Sequence, residues 1–416
     1  MARNLRISFF FLGSLLAGNL IQAQDNFAYA ITDVQEQKFN WSFLRKLDLK
    51  TGVYSDVILN GTDQSITAFD AASRKQMTAP LVDARYGQLA NAAFGTGVAA
   101  IAYDRKNERL YYSPMFVDQL RYVDLKTMKV YYLNNEALTG KPLKSSDQAN
   151  IVTRMVIASD GNGYAMTNDA TQLLQFSTGK KLAISDLGTI VDDQSNQNIS
   201  IHNSCSSYGG DMIADDNGNL YVISARNNVF RIDLSTRVAK HLGTISDLPV
   251  NFTVNGAAVM ADNKILLASA TVVGTYYTLD IKSLVATPFV VSNGALQSSD
   301  LANSNLLISG NRAKITELEN LKTKPVMVDE NKIGLYPNPV TNNQFVVQFG
   351  QLPAGTYTLQ LTDATGRQVL QQIVTITGIN QSQLVKISNA SSKSIYQVKL
   401  LNAANRSVYS TKLIVQ

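Results

Sequence analysis

The sequence predicts an all-β protein, a β-propeller followed by a small immunoglobulin-like (Ig-like) β-sandwich. A short strand–turn–strand pattern recurs between residues 25 and 322, and tandem units at a spacing of ~40–60 residues are typical of propeller blades. In residues 334–416, polar and apolar residues alternate along about seven short segments, as in the strands of a sandwich. No helix-period segment of useful length interrupts the repeats.

The amino-acid composition excludes several classes of function. The 416 residues are 45% hydrophobic and 17% charged, which is enough apolar content for two or three domains with their own cores. A mean hydropathy of -0.05 excludes a polytopic membrane protein. The formal net charge of +5 is too small and too evenly spread to indicate nucleic-acid binding. Two histidines and one cysteine argue against zinc sites and exclude a disulfide framework. We therefore predict no metal, no cofactor and no nucleic-acid partner.

One repeated element is an aspartate and an aliphatic residue followed by a small polar turn. It begins at Asp48, Asp124, Asp233 and Asp280, with a weaker copy at 176–179. A carboxylate at such a turn accepts hydrogen bonds from the backbone N–H groups that follow it, so these aspartates are predicted to be structural. A second element, an Asp/Asn/Gly turn that leads into a strand, precedes most copies and suits tight hairpins.

Together the two elements divide the region into units of four strands. Residues 211–245 read as the strands DMIA, LYVISA, VFRIDL and KHLGTI, rich in β-branched and aromatic residues. About six units fit residues 25–322, the last beginning at Ala295, and five or seven remain compatible with the spacing. The first unit lacks its first strand, which the end of the region could supply to close the ring. The units resemble the loose secreted propellers of the NHL, YVTN and quinoprotein-like kinds.

The tail contains the most specific motifs in the chain. Residues 334–340 read GLYPNPV, residues 355–361 read GTYTLQL, residues 363–367 read DATGR, and residues 412–415 read KLIV. In this order and spacing they resemble the C-terminal sorting domain of the type IX secretion system of Bacteroidota. The resemblance assigns the sorting signal to Pro337, Asn338, Pro339, Gly355, Tyr357, Asp363, Gly366, Arg367 and Lys412.

The same resemblance implies a route and partners. It implies passage through the periplasm and export to the outer cell surface or the medium. The implied partners are the type IX translocon and sorting machinery. Proteins with this tail usually lose it by cleavage, and the remaining passenger is often attached to outer-membrane lipopolysaccharide.

Residues 1–23 have the pattern of a secretory signal peptide. Arg3 and Arg6 precede an apolar run, 7–16, that is short for a membrane span, and Ala23 ends a small-residue cleavage site. Loss of the two arginines would lower the net charge from +5 to +3. The predicted organisation is a signal peptide at 1–23, a propeller at 25–322, a linker at 323–333 and a sorting sandwich at 334–416.

We predict no catalytic residue in the propeller. His202 and Cys205 are three positions apart in one loop, which does not by itself place them in contact, and the thiol is expected to be buried. The long connections between strands should share one face of the propeller, because the loops after the second and fourth strands of an antiparallel blade leave from the same edge. That face carries Trp41, Phe116, His202 and Tyr208, which are candidate ligand contacts.

These observations predict an exported propeller that binds a glycan, a peptide or a protein without catalysis. The alternative is an extracytoplasmic propeller enzyme, a hydrolase, lyase or lactonase-like protein, that uses carboxylates near the central channel. A third reading is a structural or envelope-assembly protein. Three or more acidic or amide side chains converging at the channel mouth would favour the enzyme. The fold does not choose among these functions.

Overall fold

The computed structural model describes residues 24–415 except for several short segments: 34–39, 79–81, 84–86, 89–92, 134–135, 142–147, 290, 292–294, 310–332, 337, 341–342, 350–351, 364, 378–380, 388–393 and 405. The predicted signal peptide at 1–23, all of the predicted linker except Ile333, and Pro337 of the sorting signal lie outside the described residues.

The N-terminal region is built from short strands. They are β1 (Phe27–Thr32), β2 (Phe43–Asp48), β3 (Leu59–Asn60), β4 (Ala68–Asp70), β5 (Val82–Asp83), β6 (Gly87–Gln88), β7 (Val98–Asp104), β8 (Arg109–Pro114), β9 (Arg121–Asp124), β10 (Lys129–Tyr132), β11 (Val152–Ile157), β12 (Gly163–Thr167), β13 (Leu173–Phe176), β14 (Ile184–Asp186), β15 (Val191–Asp192), β16 (Asp211–Ala214), β17 (Asn219–Ile223), β18 (Asn228–Asp233), β19 (Val238–Thr244), β20 (Val254–Val259), β21 (Ile265–Ser269), β22 (Tyr276–Leu279), β23 (Ala286–Phe289) and β24 (Ser298–Ala302). A 3-10 helix, Gln194–Asn196, follows β15.

Five antiparallel sheets form the blades of a propeller. Blade 1 is β24-β1-β2-β3, blade 2 is β7-β8-β9-β10, blade 3 is β11-β12-β13-β14, blade 4 is β16-β17-β18-β19, and blade 5 is β20-β21-β22-β23. The inner strands β24, β7, β11, β16 and β20 contact one another in that order, and β20 contacts β24 again. The five inner strands therefore surround a central channel.

The ring closes through a strand exchange between its two ends. β24 pairs antiparallel with β1, with Tyr29 opposite Ala302 and Ile31 opposite Asp300. The C-terminal end of the repeat region thus supplies the inner strand that the first unit lacks, as the sequence predicted. Closure of this kind couples the first and last blades and removes two exposed sheet edges.

The described residues form five blades, which is the lower end of the predicted range of five to seven and one fewer than the six units counted in the sequence. Residues 303–309 do not begin a sixth blade, because Leu307 pairs with Asp215 beside blade 4. The long stretch between the first two aspartate turns adds an outer strand instead: β4 pairs parallel with β10. In the same way β15 pairs parallel with β19 at the outside of blade 4.

Apolar side chains fill the space between neighbouring blades. Ile31, Tyr103 and Tyr112 belong to a buried cluster shared by blades 1 and 2. Met166 and Phe230 belong to a similar cluster shared by blades 3 and 4. Because both faces of each sheet are covered by a neighbour, the strands read as nearly continuous apolar runs.

The repeated aspartates close the turns between the third and fourth strands of four blades. Asp48 Oδ1 accepts hydrogen bonds from the backbone N–H groups of Lys50 and Thr51, both at 2.8 Å. Asp124, Asp233 and Asp280 accept the equivalent pairs of bonds. These bonds hold the pKa of Asp280 below its ordinary value. The predicted structural role of these aspartates is confirmed.

The C-terminal region is a sandwich of two sheets. Its strands are β25 (Gly334–Tyr336), β26 (Gln344–Gln348), β27 (Gly355–Thr362), β28 (Gln368–Ile376), β29 (Ser382–Lys386), β30 (Ser394–Leu401) and β31 (Ser407–Val415). One sheet has the order β25-β26-β29 and the other β28-β27-β30-β31. Phe345, Leu359, Val398 and Leu413 lie in the core between them. The described part of the chain contains no helix with the length and apolarity of a membrane span.

Candidate functional site

The mouth of the central channel opens into a cavity of about 720 Å³. All five blades contribute to its wall at equivalent places: Ala99, Thr153, Asn255 and Ser299 lie in inner strands, and Gly210 directly precedes the inner strand β16. The connections above these strands complete the wall with Trp41, Met115, Gln148, Ile151, Asn168, Ser204, Tyr208, Gly209, Ala225, Arg226, Thr253, Ala270 and Thr271. The volume suits a small molecule or a short segment of a polymer.

The cavity brings two of the four predicted ligand-contact residues together. Trp41 and Tyr208 both line it, although they come from blade 1 and from the connection into blade 4. Phe116 is half-buried beside Met115 and is not part of the wall. Trp41 is only 7% exposed, so the indole contributes one edge to the cavity rather than a freely accessible face.

His202 lies apart from this cavity. Its ring nitrogens face two backbone oxygens: Nδ1 is 2.7 Å from the oxygen of Asp169, and Nε2 is 3.0 Å from that of Ile190. The residue lines a separate groove of about 300 Å³ that also touches Phe345 and Leu384 of the sandwich. With both nitrogens engaged by the backbone, the imidazole holds the loop in place and has no nitrogen left for a ligand.

The thiol of Cys205 is exposed, and the expectation that it is buried is wrong. Its backbone N–H donates to Asn203 Oδ1 at 2.8 Å, in a polar turn that keeps the side chain at the surface. Residues 200–207 are joined by such short-range polar bonds and bury few apolar groups, which is the physical reason for the exposure. Both ring nitrogens of His202 face backbone oxygens, and Cys205 is not among their partners.

Two side chains of the cavity wall, Asn255 and Arg226, keep free hydrogen-bond donors. Asn255 Oδ1 accepts hydrogen bonds from Thr253 Oγ1 at 2.6 Å and from the N–H of Ala270 at 3.1 Å. The backbone donor fixes which way the amide points, and its Nδ2 has no partner among the described residues. Arg226 is exposed and likewise makes no hydrogen bond or ion pair with any described residue.

Directly beneath the cavity lie three fully buried charged side chains. Arg154, Asp211 and Asp300 each follow the wall residue of their inner strand and are 0% exposed. In the other two blades the same position holds Ala100 and Gly256, which leave room for the larger side chains. Sequence reasoning missed this cluster, although a charged residue inside the predicted inner strands of three repeats was a usable signal.

All four carboxylate oxygens of the two aspartates accept backbone hydrogen bonds. Asp211 binds the N–H groups of Met212 and Ala257, and Asp300 binds those of Ile101 and Leu301. Since Ala257 and Ile101 belong to neighbouring blades, the two carboxyls tie blade 4 to blade 5 and blade 1 to blade 2. The two carboxyls also interact with each other across the channel, and a hydrogen bond between them requires that one of the two is protonated.

Burial sets the protonation of this cluster. Desolvation raises the pKa of Asp211 and that of Asp300, and the charge of Asp211 raises the latter further. Arg154 donates to the carbonyl oxygens of Gly209 and Ser207, and burial lowers its pKa to about 10. It stays cationic at neutral pH, so it balances the single negative charge of a pair of carboxyls that shares one proton.

No group of histidine, cysteine or acidic side chains with metal-binding geometry occurs among the described residues. The aspartate-rich turn after β16 is filled by protein donors instead. Asp215 accepts bonds from the N–H groups of Asn217 and Asn219 at 2.8 and 2.9 Å and from the Asn219 amide at 2.7 Å.

The motifs of the tail meet at the C-terminal strand β31. Asn338 Nδ2 donates to the carbonyl of Lys412 at 2.9 Å, and its Oδ1 accepts the N–H of Ile414 at 2.9 Å. The N–H of Val340 donates to the carbonyl of Ile414 at 2.7 Å. The asparagine of the PNP motif thus covers the free edge of the last strand, next to Pro339.

The remaining tail motifs shape one hairpin and one core contact. Asp363 accepts hydrogen bonds from Thr365 and from the N–H of Arg367. Gly366 adopts a φ of +86°, a conformation that favours glycine, in the turn between β27 and β28. The Arg367 side chain returns to Asp363 at 3.1 Å. Tyr357 is buried in the sandwich core near Gly355 and donates to the carbonyl of Pro353 at 2.9 Å.

Residues 334–416 match the family of secretion system C-terminal sorting domains. No curated protein matches the chain. Among solved structures, the chain is similar to PorZ, a surface component of the type IX secretion system of Porphyromonas gingivalis. The identity is 16%, the TM-score is 0.32, and the match covers 93% of this chain but 51% of PorZ, so the chain spans about half the length of that relative.

A second similar structure is catalytically inactive virginiamycin B lyase from Staphylococcus aureus with quinupristin. The identity is 9%, the TM-score is 0.34, and the match covers 94% of this chain and 96% of the lyase. Neither likeness bears on function. The chain carries a type IX sorting domain and is exported to the cell surface or the medium. The machinery of that secretion system is its partner.

Proposed function

Because the chain carries a sorting domain of the type IX secretion system, we propose that its propeller is a non-catalytic binding module that works outside the cell. The observation that carries the proposal is the channel-mouth cavity of about 720 Å³. All five blades contribute to it, and it offers aromatic edges together with hydrogen-bond donors that have no partner among the described residues. A preformed concave site of this kind is the usual form of a ligand site.

The enzyme alternative needs a group at the mouth that can transfer a proton. Three amides, Gln148, Asn168 and Asn255, do converge there, which matches in number the arrangement that would favour an enzyme. Amide side chains are not general acids or bases, however, and no carboxylate is among the described residues that line the cavity. Asp211 and Asp300 lie below it with every oxygen bonded to backbone, which supports a structural role for them.

A binding screen tests the proposal. The full chain carries one tryptophan, Trp41, and this residue lines the cavity, so intrinsic fluorescence reports occupancy directly. We expect at least one glycan, peptide or protein in a broad panel to change the Trp41 emission saturably, without chemical change to the ligand. Turnover of any ligand, detected by mass spectrometry of the reaction mixture, would instead favour the enzyme.

We further propose that export removes both ends of the chain. The proposed processing comprises cleavage of the signal peptide 1–23, cleavage in or just after the linker 323–333, and attachment of the passenger to lipopolysaccharide. Its support is the matched sorting domain at 334–416. Fractionation of the producing cells with intact-mass analysis tests it: a surface or medium form that lacks both ends is expected. A full-length periplasmic form would contradict the proposal.

A further inference from the structure

The charges and free donors around the channel mouth indicate which class of ligand fits it. Among the described residues of the wall there is one ionised side chain, Arg226, and no carboxylate. Arg226 is exposed and has no partner among the described residues, so its guanidinium is free to form a bidentate pair with an anionic group.

Two neutral amides of the wall, Asn255 and Asn168, also offer hydrogen-bond donors to a ligand. The free Nδ2 of Asn255 can only donate, because its Oδ1 is occupied by Thr253 and Ala270. The Oδ1 of Asn168 accepts the N–H of Gly209 at 2.6 Å and the hydroxyl of Thr153 at 3.3 Å, and its Nδ2 donates one hydrogen to the carbonyl of Gln148 at 3.3 Å, so what remains of this amide is one donor. The free donors of Asn255 and Arg226 therefore favour a ligand that supplies acceptor oxygens.

The remaining surface of the cavity is apolar and carries small side chains. Ala99, Met115, Ile151 and Ala270 line it together with an edge of Trp41. Sugar rings match such a wall, because their C–H faces pack on apolar and aromatic groups while their hydroxyl and ring oxygens accept hydrogen bonds. A peptide would instead need separate pockets for its alternating side chains.

We infer that the channel mouth binds an acidic oligosaccharide, with a sugar carboxylate paired to Arg226 and a neighbouring oxygen accepting from Asn255. This inference rests on the proposed binding function and names the ligand class for the same site. The carboxylate replaces water at an exposed guanidinium, so the pair should be sensitive to salt.

Calorimetric titration of the full chain with trigalacturonate and with its fully methyl-esterified form tests the inference. The two probes share their rings and hydroxyl groups and differ in charge. We expect the acid to bind at least tenfold more tightly than the ester, and this difference to shrink as ionic strength rises from about 50 to about 200 mM.

Two matched variants locate the effect. Arg226→Gln leaves a shorter polar side chain that still carries an N–H donor but no charge, and it should abolish the difference between acid and ester. Arg231→Gln removes an exposed arginine on β18 that does not line the cavity, and it should leave the difference within about twofold. Since Arg226 is exposed and without a described partner, its replacement should not disturb folding, which circular dichroism checks.

Three results would overturn the inference: equal binding of acid and ester, an Arg226→Gln variant that behaves like the wild type, or Arg226-dependent binding of an aspartate-rich peptide but not of the sugar. If a neutral glycan or a peptide changes Trp41 emission while trigalacturonate does not, the ligand class is wrong but the binding function stands. If no probe of any class binds, the proposed function itself fails.

Discussion

The buried carboxyl pair makes the propeller less stable as pH rises through the weakly acidic range. Asp211 and Asp300 have raised pKa values in the folded protein because burial disfavours their charged forms. Above the ordinary aspartate pKa of ~3.9, the unfolded chain gives up a proton that the folded pair retains. The stabilisation is complete below that value and is lost as pH rises toward the folded pKa, at about 1.4 kcal/mol per pH unit for one shared proton.

Asp300→Asn isolates this effect from all other titrating groups. The Ile101 and Leu301 N–H groups bind different oxygens of Asp300, and the amide nitrogen that replaces one of these oxygens cannot accept, so one buried N–H loses its partner at a cost of about 1–3 kcal/mol at pH 4. The variant lacks the carboxyl whose pKa both burial and Asp211 raise, so it retains one proton fewer on folding, and only Asp211, whose pKa burial still raises, contributes to the pH dependence. The variant should therefore lose less stability than the wild type between pH 4 and 6, by about 2.7 kcal/mol.

The measurement is urea unfolding at a series of pH values from about 4 to 8, followed by fluorescence. The chain has a single tryptophan, Trp41, which is 7% exposed within the propeller, so the signal reports this region and not the sandwich. Asp262→Asn, in an exposed turn, is the matched control and should give a curve parallel to the wild type. A constant difference between wild type and Asp300→Asn across this pH range would refute the shared proton.

Three further predictions concern single side chains. Asn338→Ala removes both hydrogen bonds to the edge of β31. It should destabilise the sandwich by about 1–3 kcal/mol, measured by thermal unfolding, and reduce the exported fraction of the protein. The control Gln371→Ala, at an exposed position, should change neither quantity. The single thiol, Cys205, should react stoichiometrically with a thiol reagent in the native protein, and a requirement for denaturant would contradict its exposure. Asp280→Ala leaves two turn N–H groups without their acceptor and should cost about 1 kcal/mol in urea unfolding; an unchanged midpoint would contradict its structural role.

The local pattern of the sequence determined the blades, their turns and the identity of the tail. Strand alternation and the turns at Asp48, Asp124, Asp233 and Asp280 depend on interactions within a few residues, so they can be read from neighbouring positions. The first unit lacks a strand in the sequence pattern, which leaves an unpaired sheet edge. This absence predicted that a strand from the other end, β24, closes the ring. The tail motifs are similarly short and ordered.

Only the tertiary structure decided the number of blades, the composition of the cavity and the presence of the buried charges. The ring closes at five blades because β4 and residues 303–309 pair with existing sheets, a choice made by long-range packing. Trp41 and Tyr208 meet at the mouth while His202 turns away to bind backbone oxygens. Arg154, Asp211 and Asp300 come from three different blades, so their shared charge balance exists only once the ring has closed.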